Sequence, residues 1–185
     1  MLKKIVKAIW VTPGILLAKI IKHWPPEMLG NTIRFWYFKS RLYSLGERTK
    51  ISENVIIYHP ELIKIGKKCY INRYCDLNAS LHDTEPAPHM IIGDGCMIGA
   101  YSFFRTANHH FTDPDHICAR EPRQARDIRK IVVGNDVYIG AHCLILAGTE
   151  IGDHCIISGG SVVSSVIPPY SLVAGNPARV IKRLK

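Results

Sequence analysis

The sequence predicts an all-β fold, a parallel β-helix of triangular section with a mainly helical segment before it and one long loop excursion out of it. Three observations predict it. In the last third of the chain an aliphatic residue recurs at every sixth position: Val133, Ile139, Ile145, Ile151, Ile157 and Val163. The residue after each is small or turn-forming, Leu146 excepted, and the residue four after each (Val137, Cys143, Thr149, Cys155, Ser161, Ile167) is mostly small. Both columns are missing before about Ile51 and again between Arg105 and Lys130. A helix repeats every 3.6 residues and a strand every two, so neither yields six. A triangular coil does, with one short strand and one corner per hexapeptide, and successive coils stacked as parallel strands about 4.8 Å apart. The aliphatic residue fills the prism, and the small residues suit corners that need positive φ or close backbone approach.

Residues 1–46 lack the repeat and are rich in large apolar and basic side chains, among them Ile9-Trp10-Val11, Ile20-Ile21 and Ile33-Arg34-Phe35-Trp36-Tyr37-Phe38. Helices are expected on both sides of Pro25-Pro26. Pro13-Gly14, Lys19 and Lys22 break the apolar run, which falls short of the roughly 20 residues a membrane span needs. No small-residue cleavage site follows it, so a secretory leader is not expected. The segment has two readings. It caps the open edge of the first coil, or it lies on an anionic membrane surface through Lys3, Lys4, Lys7, Lys19 and Lys22. The expected location is the cytoplasm, peripheral at the inner face of the cell membrane in the second reading.

Residues 47–185 form the repeat domain. Ile51 and Ile57 start it weakly; Ile65-Gly66 with Cys69, Ile71-Asn72 with Cys75, Ile92-Gly93 with Cys96 and Ile98-Gly99 with Ser102 follow the same grammar. A proline-containing excursion, SLHDTEPAPH, leaves a corner between Ala79 and Met90. A longer loop occupies residues 105–130, and an insertion of that length in a compact domain is usually functional.

Composition narrows the functions. With 24 Lys and Arg against 15 Asp and Glu, the net charge of +9 favours an anionic partner. No basic run interleaved with aromatics tracks a groove, so no nucleic-acid partner is expected. Of six cysteines, five (Cys69, Cys75, Cys96, Cys143, Cys155) fall in the small column and read as buried packing residues in a reducing compartment. Cys118 lies outside the repeat. There is no CxxC pair, and His82, His89, His116, His142 and His154 make no zinc-type ligand set, so no metal is expected.

The string from Ile131 to Leu184, closing with IPPYSLVAGNPARVIKRL, resembles the hexapeptide-repeat acyltransferases and their sugar O-acetyltransferase branch. The resemblance covers about Ile51 to Lys185. It implies a left-handed coil, against the usual crossover hand, a homotrimer, active sites in clefts between subunits, and acetyl-CoA as acetyl donor. The pattern Thr106-Ala107-Asn108-His109 resembles the family's Thr-Ala-x-His, which makes His109 the general base; His110 is the alternative if the register shifts by one. Imidazole suits the task, because an alcohol attacking a thioester must lose its proton near neutral pH. Asp113 and Asp115 are candidate partners for the imidazole.

By the same resemblance the oxyanion is held by a backbone amide of Ala141 or His142. The pantetheine arm pairs with backbone groups of Ala141, Gly159, Gly160 and Ser165, and the phosphates meet Arg179, Lys182 and Arg183. Asn72, Tyr74 and Asp76 face a small-molecule or glycan acceptor, and Arg73 and Tyr74 stand where an Asn-containing pair is common. The expected activity is acetyl transfer to a sugar hydroxyl of a cell-surface polysaccharide or lipopolysaccharide precursor. N-acetylation of an amino sugar, and a non-catalytic scaffold, are the alternatives.

Overall fold

Each aliphatic column residue closes a strand of two or three residues, and three such strands make one turn. The computed structural model describes residues 17, 19–25, 28–80, 86–108 and 127–185. The first coil is Ser44–Leu45, Lys50–Ile51 and Ile56–Tyr58, and the second is Ile63–Ile65, Tyr70–Ile71 and Asp76–Asn78. Next come Met90–Ile92, Met97–Ile98 and Phe103–Arg105, then Ile131–Val133, Tyr138–Ile139 and Leu144–Ile145, then Glu150–Ile151, Ile156–Ile157 and Val162–Val163. A partial coil, Val166–Ile167 and Ser171–Gly175, ends in Ala178–Arg183, which folds back antiparallel on Ser171–Gly175. First strands of successive coils form a six-stranded face, second strands a seven-stranded face that includes the returning strand, and third strands a five-stranded face. The coil begins at Ser44, inside the segment assigned to residues 1–46, because Leu45 pairs with Ile65 and is buried.

The register explains the strictness of the repeat. Ile71 pairs with Ile98, Ile98 with Ile139 and Ile139 with Ile157, so one buried column runs the length of the second face. All four are fully buried, as is Phe104, which sits between Leu77 and Ile145 on the third face. Each such side chain contributes about 1.5–3 kcal/mol by leaving water. Strands this short are therefore held by the stack behind them.

The small columns have distinct reasons. Glycine after the aliphatic residue is required by close approach, not by positive φ: a Cβ on Gly134 would lie 2.3 Å from Asp153 Oδ1. That carboxylate reaches over the corner to accept the Asn135 amide at 2.6 Å, as Asn135 Oδ1 accepts Asp94 N and Asp94 Oδ1 accepts Lys67 N, both at 2.9 Å. The left-handed backbone falls two residues later, where Lys68, Tyr74, Tyr101, Asp136, His142, His154 and Tyr170 have φ between 53° and 61°. The cysteine column also does more than pack. Cys75 Sγ donates to Gly99 O at 3.2 Å and Cys155 Sγ to Pro168 O at 3.2 Å, and Ser102 Oγ makes the equivalent bond to Gly140 O at 3.0 Å. Thiol and hydroxyl interchange there because each supplies a short donor to the next coil. Burial pushes the Cys75 thiol up to about 11, and it also raises Cys143 and Cys155, so these stay neutral thiols.

The lower end of the prism has no coil beneath it to bond its carbonyls. Residues 19–23 are helical, and the helix Gly30–Lys39 packs beside Ser44–Leu45 and Lys50–Ile51. Arg34, fully buried, donates from Nε to Ile51 O at 2.8 Å, from Nη2 to Asn31 Oδ1 at 2.9 Å and from Nη1 to Trp24 O, while Lys39 Nζ donates to Leu45 O. Side chains of the helix thus replace the missing strand at the open edge. No helix among the described residues is long and apolar enough to cross a membrane.

Candidate functional site

The long excursion is pinned at its base. Ala107–Asn108 pairs antiparallel with Asp127–Ile128, Thr106 O accepts Arg129 N at 2.9 Å, and Thr106 Oγ1, buried, accepts Ser80 N at 2.8 Å. Both described ends of the loop assigned to residues 105–130 thus belong to the strand framework. His109 and His110, the two base candidates, lie outside the described residues, as do Asp113, Asp115, Cys118, His82 and His116.

Most of the other predicted residues lie along one edge of the prism, between the second and third faces. From the second coil upward this edge carries Asn72 and Tyr74, then Ala100 and Tyr101, then Ala141 and His142, then Gly159 and Gly160, and finally Gly175. It extends about 19 Å at the usual strand spacing. Tyr74 stacks on Tyr101 with ring centroids 4.9 Å apart, and Tyr101 on His142 at 5.0 Å, so three left-handed corner residues form a ladder of parallel rings. Asn72 is partly consumed by its own corner, where its Oδ1 accepts Arg73 N at 2.8 Å.

This edge differs chemically from the one between the first and second faces. There, Asp and Asn side chains satisfy the corner amides of Lys67, Asp94 and Asn135. Here the same positions are Ala100, Ala141 and Gly159, which offer no side-chain acceptor, and their N–H groups donate to no acceptor among the described residues. An unsatisfied amide is costly only when water and ligand are both excluded, and Ala141 and Gly159 are exposed. A row of ready donors one coil apart results. Of the two amides considered for the oxyanion, His142 N donates to Ala100 O at 3.0 Å, which leaves Ala141 N as the available donor. Ser165 lies at a different corner, after the third-face strand Val162–Val163.

The three terminal cations do not converge. Arg179 pairs with Ala174, near the top of the edge, whereas Lys182 pairs with Leu172 and Arg183 with Ser171 at the far end of the hairpin. Four residues of extended strand separate the backbones of Arg179 and Arg183 by about 13 Å. Arg183 Nη1 donates to Ser171 Oγ at 3.1 Å.

Asp76 stands on the third face, two positions before Asn78 on the same outward surface. Its Oδ1 is buried without a hydrogen-bond partner among the described residues, and burial raises its pKa against the opposing pull of Arg105. Beside it opens a cavity of about 200 Å³, lined by Tyr58, His59, Asn78, Ser80, Arg105 and Asn108 among others. Tyr58, Asn78 and Arg105 were not anticipated from the sequence, nor was the Ala100 amide. Among the described residues no group of three or more His, Cys, Asp or Glu is placed to hold a metal ion.

The bacterial transferase hexapeptide (six repeats) model matches residues 130–165, and the hexapeptide repeat of succinyl-transferase matches residues 90–103. The galactoside O-acetyltransferase of Escherichia coli (strain K12) is 31% identical over 136 residues, covering 72% of this chain and 63% of that protein. The chloramphenicol acetyltransferase of Morganella morganii is 30% identical over 141 residues, covering 65% of this chain and 67% of its own length. Among solved structures, a hexapeptide-repeat-containing acetyltransferase of Vibrio cholerae O1 biovar eltor, complexed with acetyl coenzyme A, shares 28% identity and a TM-score of 0.72 over 90% of this chain and 82% of that one. The fold in common is the left-handed parallel β-helix.

Proposed function

This chain belongs to the hexapeptide-repeat acetyltransferases, in the branch of the sugar O-acetyltransferases, and we propose that it transfers an acetyl group from acetyl-CoA to a hydroxyl of a glycan acceptor. The observation that carries this reading is the row of unpaired amides at Ala100, Ala141 and Gly159. Pantetheine is a chain of amides and carbonyls, and an edge of donors spaced by one coil suits it, with Arg179 at the top for the nucleotide end. Lys182 and Arg183 serve a second phosphate. Asn72, Tyr74 and Asp76 contribute to the acceptor side.

In the reaction His109 takes the proton of the acceptor hydroxyl as its oxygen attacks the thioester carbonyl carbon. The Ala141 amide holds the oxyanion without reorganising. The C–S bond then breaks, and the CoA thiolate leaves with the proton returned by the imidazolium. The working unit is a homotrimer with its reaction centres in the seams between copies. The acceptor is a precursor of a cell-surface polysaccharide or lipopolysaccharide, met in the cytoplasm, where residues 1–46 contact the inner face of the membrane as well as capping the coil.

Free thiol released from acetyl-CoA in the presence of neutral and amino sugars tests the activity. We expect His109→Ala to lose about 10²- to 10⁴-fold in kcat and His110→Ala to retain most of it. Full transfer by His109→Ala refutes the assignment of the base, and thiol release only with amino sugars refutes O-acetylation.

A further inference from the structure

Resting on the acetyltransferase reading above, we propose that the cavity on the third face is an acceptor subsite for an anionic substituent, a carboxylate or a phosphate ester, gripped by Arg105. Tyr58, Asn78 and Arg105 are in register on three successive coils, Tyr58 paired with Asn78 and Asn78 with Arg105, so their side chains rise as one column on the outward surface. Ser80 and Asn108 close the cavity at the corner. The wall is built rather than incidental, because the buried Thr106 hydroxyl fixes the Ser80 backbone and the Ala107–Asn108 ribbon fixes Asn108, the residue before the proposed base.

Among the described residues, the charge lining this cavity has one sign. Arg105 is exposed, and among the described residues its guanidinium makes no hydrogen bond or ion pair. Among the described residues no carboxylate lines the cavity, and His59 in its wall has Nδ1 3.1 Å from Glu61 Oε1. Asp76 acts on Arg105 only at a distance, and its own burial disfavours the ionised form. A guanidinium presents a planar fork that fits two oxygens of one carboxylate or phosphate. Asn78, Ser80 and Asn108 add the neutral donors and acceptors that sugar hydroxyls require. The volume of about 200 Å³ accommodates one ring and its substituent rather than an extended chain.

The test compares methyl β-D-glucuronide, glucose 6-phosphate and methyl β-D-glucoside as acceptors, with wild type, Arg105→Gln and Arg105→Lys. We expect one of the anionic sugars to exceed the glucoside in kcat/KM by about tenfold or more; which one it is identifies the anion. Arg105→Gln should erase that preference through KM, raising KM for the anionic sugar far more than for the glucoside, and Arg105→Lys should restore part of it. Binding of the same three sugars by calorimetry at saturating CoA provides a readout independent of turnover. Arg105-dependent binding of the anionic sugars without any acetylation upholds the subsite and refutes the transfer reading. Equal binding and equal turnover of all three sugars, or a preference that survives Arg105→Gln, overturns the subsite and leaves the transfer reading standing.

Discussion

Replacing Arg34 with methionine tests whether the helix Gly30–Lys39 seals the prism or merely lies near it. Methionine fills a similar volume and donates nothing. Three acceptors lose their donor: Ile51 O, Trp24 O and Asn31 Oδ1. Ile51 is fully buried, so its orphaned carbonyl costs about 1–3 kcal/mol. The other two lie nearer the rim and recover water, so they cost less. Against this loss stands the relief of a desolvated cation, visible in the lowering of the Arg34 pKa by burial. Replacing a buried charge is neutral when its partners leave with it. Here they stay, and we expect a net loss of about 2 kcal/mol, or a fall in Tm of roughly 4–8 °C for a chain of this size. Urea unfolding followed by far-UV circular dichroism at fixed protein concentration measures it, with Arg34→Lys as the control that keeps one donor. A methionine variant as stable as wild type, or a lysine variant no better than methionine, would refute the capping role.

Gly134→Ala should destabilise by about 1–3 kcal/mol, since its Cβ would displace the Asp153 carboxylate from the Asn135 amide; differential scanning calorimetry showing an unchanged Tm would contradict the close-approach reading. Asp76→Asn should act through pH. Burial holds the folded pKa of Asp76 above its unfolded value near 4, so its contribution is fully present below that value and is lost as pH rises through the folded one. The asparagine variant should therefore match wild type in acid and exceed it near neutrality in urea midpoint. Wild type gaining on the variant as pH rises would show that Asp76 is stabilised as a carboxylate.

The core was legible because one residue in six has to face inward, and no other arrangement of Val133, Ile139, Ile145, Ile151, Ile157 and Val163 puts all of them out of water. What a period of six hides is which of three faces each hexapeptide joins. Sorted by face, the position after the aliphatic residue is Gly46, Gly66, Gly93, Gly134 and Gly152 on the first, and Tyr58, Asn78, Arg105 and Leu146 on the third. That contrast was present in the chain, and reading every third repeat would have singled out Asn78 and Arg105 as outward-facing side chains. It also places Leu146, which breaks the glycine column, in its proper row. Ala100 escaped notice for the opposite reason. Its part comes from what the side chain lacks, an acceptor for its own corner, and absence leaves no motif. Arg34 reads as surface among apolar neighbours until the fold shows that the first coil needs donors below it.

Eighteen residues separate Ile139 from its partner Ile157, and forty-one separate Ile98 from Ile139, yet the pairing is the same. Closing a longer detour adds only about 0.6 kcal/mol for each doubling of its length. The register of the prism is therefore indifferent to how much chain is spent outside it at that corner, and an excursion there can lengthen or shorten with the stacked interior unaltered beneath it.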